Sequence, residues 1–102
     1  MNIPVKQLTW QELQRWRSEG RLFQLIDVRE PDEHEAYNIG GELIPLGQVL
    51  QQSERLELEK PIVVYCKRGI RSQIAIQRLS RRLPQADLYN LQGGVWSFPP
   101  PK

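Results

Sequence analysis

The chain's one cysteine, Cys66, stands where the apolar run Ile62-Val63-Val64-Tyr65 gives way to Lys67-Arg68-Gly69-Ile70-Arg71-Ser72. A thiol kept for packing belongs inside an apolar run, whereas this one has three cations within its next five residues. A turn from strand to helix can aim successive backbone N–H groups into one concavity, and such a concavity binds anions. Gly69 permits the left-handed or crowded backbone that the turn needs, and a helix opening near Ser72, a good N-cap, adds the positive end of its dipole. Amides and cations favour a thiolate over a thiol, so Cys66 is expected to ionise well below the free value of about 8.5 and to be a nucleophile at neutral pH. A buried, inert cysteine closing an apolar strand is the competing reading of the position.

The bulk composition limits what else the chain can be. Its 102 residues, 39% hydrophobic and 25% charged, suit one globular domain, 1–102, with one core and an extended proline tail at 99–102. The longest apolar run, Ile62 to Cys66, is far too short to cross a bilayer. Met1 to Leu8 lacks the cationic start and apolar stretch of a secretory signal, so a cytoplasmic location is expected. A single cysteine can form no internal disulfide and supplies no cysteine partner for a zinc or iron-sulfur site, so metal binding is not expected. The net charge of +2 gives no strong nucleic-acid signal. The distribution of charge says more: Asp27, Glu30, Asp32, Glu33 and Glu35 crowd one segment, while Lys67 to Ala86 contains no acid at all. Arg78, Arg81 and Arg82 read as a solvated helix face.

The elements that must position the thiol follow from periodicity and breakers. Thr9-Trp10-Gln11-Glu12 is a capping box, Leu13 and Trp16 continue an apolar helical stripe, and Gly20 ends that helix. Phe23 to Val28 reads as a buried strand stopped at Pro31, and Pro31 to Tyr37 as a short acidic helix ended before Gly40-Gly41. Leu43-Ile44-Pro45 is an extended connector, and Leu46, Val49, Leu50 and Leu56 have helix-compatible spacing, weakened by Gly47. Pro61 introduces the strand Ile62 to Tyr65, apolar on both faces as a central parallel strand should be. A helix follows through Ile74, Ile76, Leu79 and Leu83 to Pro84, then a strand from Ala86 to Leu91 and a Gly93-Gly94 turn. Val95 to Phe98 reads as a last apolar turn on the core, and Trp10, Trp16 and Trp96 as core or rim aromatics. Alternating strands and helices predict an α/β fold with a parallel or mostly parallel sheet covered on both faces. Ligands of such sheets bind beyond the carboxyl ends of the strands, where Cys66, Asp27 and Arg29 all fall. Asp27 and Arg29 read as a strand-end pair that fixes the next turn.

The stretch CKRGIRS resembles the active loop of the rhodanese sulfurtransferases, with Cys66 at the persulfide-forming position. Leu8-Thr9-Trp10, Ile26 to Pro31, Ile44-Pro45-Leu46, Ile62 to Cys66 and Leu91 to Gly94 with Trp96 are similar to that family's landmarks in order, so the resemblance covers nearly the whole chain. It implies a rhodanese-like sheet of about five short strands with helices on both faces. One departure is Asn38, which stands where many relatives have a histidine; His34 reads as a surface residue of the acidic helix rather than a base. The same fold hosts phosphatases and arsenate reductases with cysteine, five residues, arginine. Here four residues separate Cys66 from Arg71, a smaller ring of donors suited to one sulfur rather than a phosphoryl group.

The implied reaction is a double displacement in which Cys66 takes the outer sulfur of thiosulfate and passes it to cyanide or a thiol, with no metal or organic cofactor. Lys67 and Arg68 are expected at the entrance. Arg71 is expected to brace the loop through Asp27 or a neighbouring carboxylate, and Gly69, Ile70 and Ser72 to complete the substrate pocket. A second reading is a relay module that receives persulfide from a cysteine desulfurase and hands it to a sulfur-accepting protein of cofactor synthesis or transfer-RNA thiolation.

Overall fold

The computed structural model describes residues 4–97. Five strands form one sheet: β1 (Lys6–Leu8), β2 (Gln24–Asp27), β3 (Glu42–Leu43), β4 (Ile62–Tyr65) and β5 (Leu88–Leu91). Their order is β1-β5-β4-β2-β3, and every neighbouring pair is parallel. The helices are α1 (Trp10–Ser18), α2 (Pro31–Ala36) and α3 (Ile70–Arg82).

The central strand β4 explains the layering. Its side chains alternate between the two faces of the sheet, and both faces are covered. Ile62 and Val64 join Ile26, Ala75, Ile76, Leu79 and Leu88 in the core beneath α3. Val63 and Tyr65 join Leu8, Leu13, Trp16 and Leu91 in the core beneath α1. All four β4 side chains are fully buried, and burying an aliphatic chain of this size contributes about 1.5–3 kcal/mol. The strand that delivers Cys66 is thereby the most firmly held in the sheet.

Local chemistry sets the ends of the elements. Thr9 Oγ1 accepts from the Glu12 N–H at 3.1 Å while Thr9 N–H donates to Glu12 Oε1 at 2.8 Å, the reciprocal cap expected of α1. Proline opens α2 as expected, and the helix closes at Tyr37. The helix expected from Leu46 to Leu56 is instead two 3-10 turns, Leu46–Gln48 and Ser53–Arg55. Pro45 and Gly47 deny the first turn a regular ladder, yet Val49 and Leu56 still reach the core. The connector at Leu43 contributes to the edge strand β3, and the expected strands Phe23 to Val28 and Ala86 to Leu91 pair over the shorter spans of β2 and β5. Strand β1 carries no sequence signal of its own: three residues, two of them exposed, become a strand by pairing with β5.

The last turn, Gly94–Ser97, departs from expectation in one respect. Val95 packs on the core beneath α1, but Trp96 is 64% exposed. Phe98 and the proline tail lie outside the described residues. Among the described residues, no helix is long and apolar enough to cross a membrane, and no cluster of metal-ligating side chains is present.

Candidate functional site

The carboxyl ends of β2 and β4 lie side by side, with Asp27 paired in register with Tyr65. Cys66 follows at once, and the chain turns at Gly69, whose φ of 89° lies in the left-handed region that a side chain disfavours. This glycine, rather than Ser72, caps α3. The cap therefore falls three residues earlier than expected, the helix begins at Ile70, and Ser72 lies within its first turn. The shift decides the chemistry, because it points the Ser72 N–H at the sulfur and brings the hydroxyl oxygen into hydrogen-bond contact with it.

Around Cys66 Sγ the donors converge. Gly69 N–H donates to it at 3.1 Å and Ser72 N–H at 3.4 Å, and Ser72 Oγ lies 3.4 Å away. Cys66 is almost wholly buried, at 1% exposure. Burial pushes the thiol up, but a hydrogen bond with the Ser72 side chain and those from the Ser72, Gly69 and Arg68 N–H groups together outweigh it, leaving Cys66 below its ordinary value. The neighbouring amides are thus turned toward the sulfur, as a thiolate nest requires.

The Gly94–Ser97 turn aims one of those amides, that of Arg68. Val95 N–H donates to Cys66 O at 3.0 Å and Trp96 N–H to Lys67 O at 2.8 Å. In a trans peptide the carbonyl and the following N–H point in opposite directions, so tying the Lys67 carbonyl away from the sulfur directs the Arg68 N–H toward it. Gly94 is required for this approach, since a Cβ there would overlap the Cys66 and Lys67 carbonyls. The Gly-Gly turn after β5 is therefore part of the loop's scaffold.

A cavity of about 280 Å³ opens above the sulfur, lined by Cys66, Lys67, Arg68, Ile70 and Arg71. Lys67, Arg68 and Ile70 are exposed at its mouth. Trp96 carries both cations: the Lys67 ammonium sits 5.1 Å and the Arg68 guanidinium 5.0 Å from its ring centroid. Quadrupole attraction of this kind holds flexible cations near one place. Lys67 also borders a neighbouring depression lined by Arg29, Glu33, Ala36, Tyr37, Val95 and Trp96.

Arg71 is braced as a planar fork should be, but by Glu33 of α2 and not by Asp27, with bonds of 2.7 and 2.9 Å. Asp27 is committed elsewhere. It accepts from Arg29 Nε at 2.9 Å, from Arg29 Nη2 at 2.8 Å and from the Arg29 backbone N–H at 3.0 Å. This is the strand-end pair expected of the two residues. His34 adds Nδ1 at 2.9 Å, so it joins α2 to the strand end instead of standing free on the surface. Asn38 stays exposed and closes its own turn, donating to His34 O and accepting from Gly40 N–H.

Sequence reasoning missed one buried group. Asn90 of β5, 1% exposed, accepts the Ser72 hydroxyl through Oδ1 and donates through Nδ2 to Gln7 Oε1 at 2.8 Å. The available signal was an amide at a strand position where Leu88 and the pleat call for an apolar side chain.

With a thiolate nest, a cationic mouth and one nucleophile, the arrangement can take up an anionic electrophile. The family model for the rhodanese-like domain matches residues 9–98. The chain is 42% identical over 91 residues to the Bacillus subtilis protein YqhL, covering 88% of this chain and 69% of that one. It is 39% identical over 82 residues to the adenylyltransferase and sulfurtransferase MOCS3 of Drosophila virilis; the match covers 72% of this chain but only 18% of that much longer relative. Among solved structures, a rhodanese-like domain protein from Staphylococcus aureus superposes with a TM-score of 0.81 at 25% identity, covering 91% of this chain and 92% of that one. The chain belongs to the rhodanese-like domain family.

Proposed function

We propose that this chain is a sulfurtransferase that carries a sulfane sulfur on Cys66. The observation that carries the reading is the convergence of the Gly69 and Ser72 N–H groups and the Ser72 hydroxyl on Sγ. The thiolate attacks the outer sulfur of thiosulfate, the sulfur–sulfur bond of the donor breaks, and sulfite leaves with the bonding pair. The added sulfur then bears the negative charge and lies in the ring of loop donors. Cyanide or a thiol attacks it, and the electron pair returns to Cys66. No metal or organic cofactor takes part. Lys67 and Arg68 draw the dianion to the mouth, Gly69, Ile70 and Ser72 shape the floor, and Arg71 holds the loop through Glu33. Asp27 and Arg29 support the site from the next strand end.

Intact-mass measurement after thiosulfate treatment tests this. The expected result is one added sulfur, removed by cyanide or reductant and absent in Cys66→Ala. Unmodified wild-type protein, under conditions that label a known sulfurtransferase, overturns it.

A second reading is favoured by one comparison: a relative named as both adenylyltransferase and sulfurtransferase carries the matching region in about a fifth of its length. On that reading the sulfur arrives from a protein persulfide donor and leaves for a sulfur-accepting protein, with little thiosulfate turnover. Rapid steady-state turnover of thiosulfate to cyanide supports the first reading; persulfide formed efficiently only with a protein donor supports the second.

A further inference from the structure

Asn90 sits on the α3 face of β5, beside Leu88 and among apolar side chains. A buried amide costs free energy unless each polar group is paired. Here each is: Oδ1 takes the Ser72 hydroxyl, and Nδ2 gives to Gln7 Oε1. Gln7 lies on the exposed edge strand β1, and its Nε2 reaches Val5 O at 3.4 Å. A chain of hydrogen bonds thus runs from Cys66 through Ser72 and Asn90 to an amide in contact with water.

The direction of that chain is tied to the charge on sulfur. Ser72 has one hydroxyl hydrogen, and in the arrangement described it goes to Asn90 Oδ1. Ser72 Oγ then offers only lone pairs to Cys66, which suits a thiol that donates its S–H. A thiolate has no hydrogen to give and needs the hydroxyl turned toward it. If Ser72 turns alone, Asn90 Oδ1 is left buried without a donor, which is costly. The cost disappears if the Asn90 amide rotates by half a turn. Nδ2–H then donates to Ser72 Oγ, and Oδ1 accepts from Gln7, whose exposed amide is free to rotate and present Nε2–H.

We propose that Asn90 is a positioning residue for Cys66: its amide, rotating in concert with that of Gln7, reverses the Ser72 hydroxyl as the sulfur passes between charged and uncharged forms. The proposal rests on the thiolate chemistry of the preceding section. In the thiolate state every donor of the chain points toward sulfur. When Sγ bonds to the incoming sulfur and the donor's own sulfur–sulfur bond breaks, Sγ becomes an uncharged divalent sulfur, and the charge moves to the outer atom. The hydroxyl then returns to Asn90 Oδ1. When the outer sulfur departs, the bonding pair restores the thiolate and the chain reverses again. No proton changes owner along the chain; only amide and hydroxyl orientations change.

The charged groups around the thiol are Lys67, Arg68 and Arg71 of the loop, with Glu33 of α2 paired to Arg71. The Asp27–Arg29 pair ends the next strand. From β5 the facing group is the neutral Asn90. The chain can therefore be biased from Gln7 without touching any of these charges. Glu at position 7 only accepts, which holds Asn90 in the thiol orientation. Lys only donates, which holds it in the thiolate orientation.

The experiment is the pH profile of Cys66 alkylation by iodoacetamide in the purified, sulfur-free chain. Near the wild-type midpoint, Gln7→Glu is expected to slow alkylation at least threefold and Gln7→Lys to speed it by a similar factor. Simple through-space charge gives the same signs, so both substitutions are repeated in Asn90→Ala. Loss of both effects there supports the relay. Effects of equal size in both backgrounds, or no effect in the wild-type background, overturn it. Should Asn90→Ala not fold, Ser72→Ala breaks the same chain and takes its place. Because the readout needs no sulfur donor, failure of thiosulfate labelling rejects the proposed function without altering these shifts, and their absence rejects the relay without altering the labelling.

Discussion

Arg71 and Glu33, 38 residues apart, meet in a two-bond fork that fastens the acidic helix α2 to the first turn of α3. The Arg71 guanidinium holds the Glu33 carboxyl down at about 2, burial opposing it more weakly. Since the folded value lies below the unfolded one, the pair's contribution is fully present above about 4.5 and is lost as pH falls through about 2. The Arg71 side chain is 33% and the Glu33 side chain 27% exposed, so solvent screening leaves the pair worth about 1 kcal/mol. Glu33→Gln is expected to lose about that much in urea unfolding at pH 7 and to lose less than wild type between pH 5 and about pH 2.5. An unchanged acid slope rejects the assignment.

The second fork is of another kind. Asp27 is fully buried and Arg29 nearly so, and Arg29 also donates to Tyr37 O at 2.5 Å. Burial pushes the Asp27 carboxyl up, and the bonds from Arg29 and His34 outweigh it, leaving it below the usual carboxylate range. Asp27→Ala strands a buried guanidinium, for which a loss of about 3–5 kcal/mol is expected. His34→Ala removes only one partner of a carboxylate that keeps its fork, and is expected to cost about 1 kcal/mol. Chemical denaturation of both variants measures the ratio, and equal losses contradict this division of roles.

These two forks mark the boundary of what the sequence discloses. Cys66, Gly69 and the cations are legible because the loop's chemistry is local: seven consecutive residues contain nucleophile, turn and charge. The order of β2, α2, β4, α3 and β5 is legible because each is bounded by a glycine or proline. The partner of Arg71 is not, since five acids crowd the segment from Asp27 to Glu35 and only the packing of α2 selects Glu33. Strand β1 is invisible because its stability comes from Tyr89, Asn90 and Leu91 across the sheet. Ser72 looks like a cap by type, and its N–H becomes a donor to sulfur because a left-handed Gly69 caps the helix three residues sooner.

Gly94 offers a test of the scaffold. Its φ is +60°, and a Cβ would meet the carbonyls that the turn ties outward. Gly40 has a φ of +95° with open space around it. Backbone strain alone costs about 1 kcal/mol or more, whereas strain plus overpacking against fixed backbone reaches about 2–4 kcal/mol. Gly94→Ala is therefore expected to destabilise more than Gly40→Ala and also to slow alkylation of Cys66, because the Arg68 N–H loses its aim. Loss of stability with an unchanged alkylation profile separates packing from loop geometry and counts against the scaffold role.

Lys67 tests the entrance. It is exposed, it borders the cavity above Cys66, and among the described residues it lies over Trp96 and in no ion pair, so its charge acts outward on an approaching anion. Attraction between an exposed cation and a dianion decays over about 8–10 Å at physiological salt and over a much shorter distance at 1 M. Lys67→Ala is expected to lower kcat/KM for thiosulfate about five- to tenfold at low ionic strength, the equivalent of about 1–1.4 kcal/mol, and by less than twofold near 1 M salt. A direct contact with bound substrate would instead survive screening, because water and counterions are excluded from it. An identical loss at both salt concentrations would therefore move Lys67 from the approach path to the floor of the pocket and reject the steering role.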